Sequence, residues 1–352
     1  MIDIHTHLLP AELPRWAERF GYGGFLQLDH HAPCRARMVR DDGKFFREVE
    51  ANCWDVATRL GECDRAGVGV QVLSTVPVLF SYWAEPAHGH EIARFLNDHL
   101  AGVVAIAPRR LVGLGTLPMQ APDLAVAELE RCVLELGLAG VQIGSHIERP
   151  GRAQWNLDAP ELWPFWQRAS ELSAAVFVHP WDMMGQDAMP KYWLPWLVGM
   201  PAEVSLAICS VLMGGVLERW PTLRLAFAHG GGAFAGTLGR IAHGFAARPD
   251  LCAVDNARPP EHYLGRFWVD SLVHDARTLR FVIETFGAGS VALGTDYPFP
   301  LGEAEPGRLV RELALPETVE RALLVDNALA WLGRPAGGFD LGAWRTKVRK
   351  GS

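Results

Sequence analysis

The stretch "RLVGLGTLPMQAPDLAVAELERCVLELGLAGVQIGS" (110–145) carries the fold in miniature. A short apolar run (110–118) leads into a longer segment (121–137), and a second short apolar run (138–145) follows. In the longer segment Leu124, Val126, Leu129, Val133 and Leu136 fall broadly along one helical face. Pro122 and Asp123 at its start and Gly137 at its end match helix start and stop chemistry. Strands apolar on both faces, alternating with helices, predict a parallel sheet covered by helices.

The same unit recurs on both sides. Apolar runs stand at 2–7, 67–75, 110–118, 138–145, 174–180, 223–231, 266–271 and 291–298. The segments 201–221 and 275–287 between them again have helical spacing. Eight units in 352 residues, 49% of them hydrophobic, predict an α/β fold of the (β/α)₈ barrel type with one large core. An open doubly wound sheet is the alternative. The expected domain covers 1–334, with an insertion at about 8–56 that includes the glycine-rich "GYGGF" (21–25) and a candidate hairpin, "MVRDDGKFFREV" (38–49). The tail 335–352 reads as a loose extension.

Composition removes several function classes. The net charge is −7, and no Lys/Arg run suggests nucleic acid or an anionic membrane surface. Six scattered cysteines without C-x-x-C spacing read as free thiols of a reducing compartment. No room for a signal peptide precedes the first strand, and no apolar run is expected to reach membrane-spanning length, so a cytoplasmic location is expected. No G-x-G-x-x-G follows a strand, and no P-loop is present.

Barrels of this type carry their active sites at the C-terminal ends of the strands. Those ends hold His5 and His7 on the first strand, His179 on the fifth, His229 on the sixth and Asp296 on the eighth. In an extended strand i and i+2 share a face, so His5 and His7 project together. Alone, a His-x-His pair is as readily a polar loop after an edge strand. Three imidazoles and a carboxylate around one rim suit Zn²⁺ or a similar first-row ion, with a position left for water or substrate. His5, His7, His179 and Asp296 are therefore the expected metal ligands. His229, before "GGG", is either a fifth ligand or an acid/base; the second role is favoured. Zinc lowers the pKa of bound water from about 16 toward 7, and an imidazole within reach is suited to take that proton. The missing side chains of the glycines are expected to let backbone approach a ligand closely.

With these residues in place the chain resembles the amidohydrolase superfamily. The strings "FGYGGFLQLDHH" (20–31), "ANCWD" (51–55), "LSTVPVLFSYWAEP" (73–86), "HPWDMMG" (179–185), "KYWLPWLVGMPAE" (191–203), "AHGGGAF" (228–234) and "GTDYPFPLGE" (294–303) narrow this to one decarboxylase branch. They resemble the 2-amino-3-carboxymuconate-6-semialdehyde decarboxylases over about residues 1–334. The resemblance implies a zinc-dependent carboxy-lyase with no organic cofactor, forming 2-aminomuconate-6-semialdehyde in tryptophan–kynurenine catabolism and limiting quinolinate formation. It implies the ligand set already read and His229 as acid/base; Asp296, as a carboxylate beside a metal, is expected to serve also as a proton carrier.

Two arginines carry over from the family. Arg47 and Arg240 are implied to hold the carboxylates of a dicarboxylate substrate, Arg240 being donated across a homodimer interface. Guanidinium forks suit carboxylates, although each arginine alone reads equally as a surface residue. Trp193 and Phe299 are expected to wall the pocket. Only four of the 33 basic residues are lysines (Lys44, Lys191, Lys347, Lys350), and none lies on a barrel strand. Related two-metal barrels often use a carboxylated lysine on the fourth strand, so one metal per chain is expected. The segment 146–158 looks longer than the family norm. Alternatives are another decarboxylase or hydratase of the superfamily acting on an aromatic or ring-cleavage acid, a metallohydrolase, or an inactive binding scaffold.

Overall fold

The computed structural model describes residues 1–149 and 151–341. The chain opens with β1 (Ile2–Leu8) and then builds the insertion as three antiparallel strands, β2 (Leu26–Ala32), β3 (Arg35–Arg40) and β4 (Phe45–Glu50). β3 and β4 form the expected hairpin; β2 adds a strand that the sequence did not announce.

β5 (Val70–Thr75), β6 (Leu111–Gly115) and β7 (Gly140–Gly144) continue the main sheet. The two-residue strands β8 (His146–Ile147) and β9 (Trp155–Asn156) pair antiparallel, which gives the long 146–158 segment a small hairpin of its own. β10 (Ala175–His179), β11 (Arg224–Phe227), β12 (Trp268–Asp270) and β13 (Val291–Ala292) complete the set.

The main sheet runs β1-β5-β6-β7-β10-β11-β12-β13, every pairing parallel, so all eight expected strands are present in chain order. Closure comes from the segment after β13. The Ile4 amide donates to Leu293 O at 2.9 Å, that of Asp296 to His5 O at 2.8 Å, and that of His7 to Tyr297 O at 2.8 Å. The ring removes the two open edges that a doubly wound sheet would leave.

Each barrel strand is almost wholly buried, because its inner face fills the barrel and its outer face meets the helices. The expected helices appear at Pro122–Glu130, Met200–Met213 and Ala276–Phe286. Asp275 caps the last, accepting from the Thr278 amide at 2.8 Å. A separate small core of Leu9, Trp16, Phe25, Met38, Val49 and Ile92 lies beneath the insertion sheet. It fixes β4 beside the mouth of the barrel.

Two expectations need correction. The helical stretch Pro195–Met213 is long and apolar enough, by length and composition, to cross a membrane. Here its later turns belong to the helical layer, where Val204, Ala207, Ile208 and Val211 are buried, whereas Leu197 and Val198 near its start are exposed. Residues 335–341 are also not loose. Phe339 is buried and the Asp340 amide donates to Arg109 O at 3.0 Å. The rest of the expected extension, 342–352, lies outside the described residues.

Candidate metal centre

β1 delivers its two histidines through an irregularity. Its register against β5 shifts by one residue between Asp3 and Thr6, a bulge that re-aims the strand next to the site. His5 Nε2 and His7 Nε2 end 3.2 Å apart. Asp296 Oδ1 lies 3.0 Å from His7 Nε2 and 3.5 Å from His5 Nε2. His179, at the tip of β10, brings the fourth donor. One ligand atom from each of these four buried residues lies within 4.8 Å of all the others.

The protonation states suit a cation. Burial pushes His7 and His179 below the ordinary imidazole pKa, and for His179 the neighbouring imidazoles add to the effect. Burial alone would raise Asp296, but the His229 and His7 imidazoles hold its carboxyl well below the usual carboxylate range. For His5, burial pulls down while the Asp270 hydrogen bond and the nearby carboxylates pull up, and the net direction is up.

His179 Nδ1 is engaged by Pro180 O at 2.9 Å, whereas its Nε2 is buried without a hydrogen-bond partner among the described residues. A buried lone pair without a donor costs free energy unless something else meets it. A divalent ion does. The four residues make a metal-binding site, and the donor set of three imidazoles and one carboxylate fits the group it implies.

Surrounding residues fix the ligands. Asp270, at the end of β12, places Oδ2 2.6 Å from His5 Nδ1, and it also accepts the amides of His229, Gly230 and Leu272 at 2.8–3.0 Å. Arg59 is fully buried; it donates to His7 O and to Gln71 Oε1 and lies 4.8 Å over the Tyr297 ring. Sequence reasoning missed both. Asp270 had a signal, an acid at the tip of the seventh barrel strand, but Arg59 sits on a helix with none.

His229 faces the same centre. Its ring lies 5.2 Å from those of His5 and His179, its Nε2 is 3.9 Å from Asp296 Oδ2, and its Nδ1 is buried without a partner. His229 and Asp296 both hold φ of 56°, the left-handed region that functional sites tolerate when their surroundings enforce it. The three glycines after His229 work differently from the expectation. A Cβ on Gly230 would stand 2.4 Å from Val273 Cγ1, and one on Gly232 2.3 Å from Pro201 O. They let backbone pack against protein, although Gly232 also borders the cavity.

That cavity, of about 290 Å³, opens over the ligands and is walled by Phe46, Arg47, Trp181, Met183, Trp196 and Phe299 among others. Arg47 and Phe299 lie where expected, the Arg47 Cζ 4.6 Å over the Phe299 ring. No carboxylate pairs with Arg47 among the described residues; burial pushes its pKa down and the Asp296 charge opposes that. Trp193 does not line the cavity. It is 41% exposed and its ring lies 6.0 Å from that of Trp196, which takes the wall position three residues on. Residues 195–199 form a helical turn, so positions 193 and 196 project differently. Arg240 is exposed on the helix Phe234–Ala247 and stays outside its own chain's cavity.

The chain matches the amidohydrolase family over residues 2–334. It is 55% identical to the 2-amino-3-carboxymuconate-6-semialdehyde decarboxylase of Dictyostelium discoideum, across 94% of this chain and 91% of that protein. Identity to the decarboxylase of the same description from Caenorhabditis elegans is 44%, across 88% of each. In three dimensions it is similar to a dihydroxybenzoic acid decarboxylase from Polaromonas sp. JS666, solved with bound manganese and 2-nitroresorcinol. The TM-score is 0.76 at 23% identity, over 94% of this chain and 96% of that one.

Proposed function

Because the chain belongs to the amidohydrolase family and to its decarboxylase branch, we propose that it converts 2-amino-3-carboxymuconate-6-semialdehyde to 2-aminomuconate-6-semialdehyde and CO₂. In tryptophan–kynurenine catabolism this step draws material away from quinolinate. One observation carries the substrate assignment beyond identity to relatives. Arg47 reaches into the cavity without a counter-ion among the described residues, close to a cation site, where a substrate carboxylate would complete it.

The metal is one zinc ion per chain, held by His5, His7, His179 and Asp296; when bound it supplies positive charge that stabilises negative charge developing on substrate oxygen. The remaining work falls to side chains. Decarboxylation breaks the bond between a carbon and its carboxylate and places a proton on carbon. His229 Nε2 is the group suited to hold and pass that proton, with Asp296 Oδ2 at 3.9 Å as its neighbour. Arg47 orients one carboxylate against the Phe299 face, a positioning effect that can be large. Arg240 holds the other from a second copy of the chain, which makes the active form a homodimer. The free thiols fit a reducing compartment such as the cytoplasm.

A second reading, decarboxylation of an aromatic acid, is favoured by the apolar wall of Trp181, Met183, Trp196 and Leu272. One experiment separates the two. Metal-loaded protein is given the semialdehyde and, separately, 2,6-dihydroxybenzoate, and near-ultraviolet absorbance is followed. Prompt loss of the semialdehyde signal with dihydroxybenzoate untouched is the expected result; the reverse pattern overturns the assignment.

A further inference from the structure

The fourth barrel strand sends nothing to the metal. Its continuation, Ser145 and His146, turns instead toward Glu203 in the first turn of the helix Met200–Met213. Ser145 Oγ donates to Glu203 Oε1 at 3.0 Å, and His146 Nδ1 stands 2.7 Å from the same oxygen. The other carboxylate oxygen accepts the Met184 amide at 3.3 Å. Glu203 is 1% exposed and His146 6%. A carboxylate this deep is costly unless its lone pairs are met, and here both oxygens have partners.

The place of this cluster matters. Residues 180–199 form the connection between the ligand His179 and the helix that bears Glu203. The connection supplies Trp181, Met183, Trp196 and Leu197 to the cavity wall, and the start of the helix adds Met200 and Pro201. Of these twenty residues, 195–199 run directly into the helix, whereas 180–194, with a single short helical turn at 186–188, are free to move unless something ties them down. Among the described residues, Glu203 is the charged side chain that ties them to the fixed tip of a barrel strand, through the backbone beside Met183.

We propose that Glu203 is a positioning residue for substrate binding: with Ser145 and His146 it clasps the 180–199 connection to the barrel and so sets the shape of the apolar wall. The proposal rests on the cavity being the substrate site. It does not require Glu203 to touch substrate or metal, and it places the effect of the clasp on binding more than on the chemical step.

The test uses two variants of the metal-loaded protein. In Glu203→Gln the side-chain amide must turn its NH₂ toward donors, either the Met184 amide or the Ser145–His146 pair, so one side of the clasp opens. Ser145→Ala removes one donor and is the milder change. Hydrogen exchange of peptides covering 181–199 is expected to speed up in Glu203→Gln with the rest of the barrel unchanged. Metal content should stay at the wild-type level, KM should rise about tenfold, and kcat should stay within about threefold. Ser145→Ala should show the same pattern, weaker. Wild-type exchange in 181–199, or a kcat that falls as far as kcat/KM, overturns the clasp. A wild-type protein that fails to consume the semialdehyde overturns the substrate reading instead, and the exchange measurement still decides the clasp.

Discussion

His5 Nδ1 lies 2.6 Å from Asp270 Oδ2, and this contact decides which nitrogen of His5 faces the other ligands. The carboxylate holds the Nδ1 proton, so Nε2 keeps its lone pair free toward His7 and Asp296. Burial would raise the Asp270 pKa, but the His5 bond and the neighbouring amide donors hold it below the usual carboxylate range. Its contribution to stability is therefore present above that range and lost as pH falls through the lowered value.

Asp270→Asn puts an NH₂ where two of the four donors now point. Metal affinity is expected to fall about 10- to 100-fold, the usual effect of removing a carboxylate behind a ligating histidine. Titration of metal into the stripped variant checks this. Unchanged affinity would mean that His5 is oriented by something other than Asp270.

Stripping the metal with a chelator should abolish turnover, and zinc should restore it. Binding to the native state alone stabilises by about 2.7 kcal/mol at a hundredfold excess over Kd, so Tm should rise by several degrees on reloading. Because burial holds His7 and His179 below the ordinary imidazole pKa, protons compete for those nitrogens only at lower pH than for a free histidine. His5, which the Asp270 hydrogen bond and nearby carboxylates shift upward, is the ligand at which protons compete first, so metal content after dialysis across a pH series should be level at alkaline pH and already be falling as the pH reaches about 6.5, the ordinary imidazole value.

Arg47→Ala should lower kcat/KM about 10- to 100-fold, the scale of a lost charge-assisted hydrogen bond of about 1.5–3 kcal/mol. Arg47→Lys should recover little, since an ammonium lacks the fork and the planar stacking that the Phe299 face receives. Tm should hardly move in either variant, because no ion pair within the described structure is broken. Loss of Tm with kcat/KM intact would assign Arg47 to folding.

Arg240→Ala and His229→Ala should each be inactive alone. If Arg240 acts in the partner's site, mixing the two after dissociation creates heterodimers with one intact site. About a quarter of all sites should then regain activity, from random assortment in a two-fold dimer. No recovery on mixing would place Arg240 outside the site.

Cysteine reactivity should follow burial. Cys34 is exposed, whereas burial pushes the Cys53 and Cys209 thiols up to about 11 and Cys63 up to about 12. Near pH 8, mass spectrometry should find a maleimide on Cys34 well before Cys53 or Cys63 is labelled. Denaturant should remove the difference.

Much of this was legible in one dimension. Strands buried on both faces need apolar residues without alternation, so all eight barrel strands stood out as short runs, in their spatial order. Metal ligands are equally local in their signal. A histidine or aspartate at the end of an apolar run has few other reasons to be there, so His5, His7, His179, His229 and Asp296 could be named. Closure of the sheet, the bulge in the first strand beside His5, and the contacts of Asp270, Arg59 and Glu203 depend on residues that lie from tens to hundreds of positions apart in the chain. Asp270 is one of 40 acidic residues, and nothing in its neighbours says that it meets His5 across 265 positions. Trp193 and Trp196 sit in one aromatic string, and the helical turn at 195–199 decided which of them walls the cavity. Periodicity and residue type report what a side chain must be buried in or bonded to. Which partner meets it is set only when the barrel closes, because the partner's position depends on every strand between them.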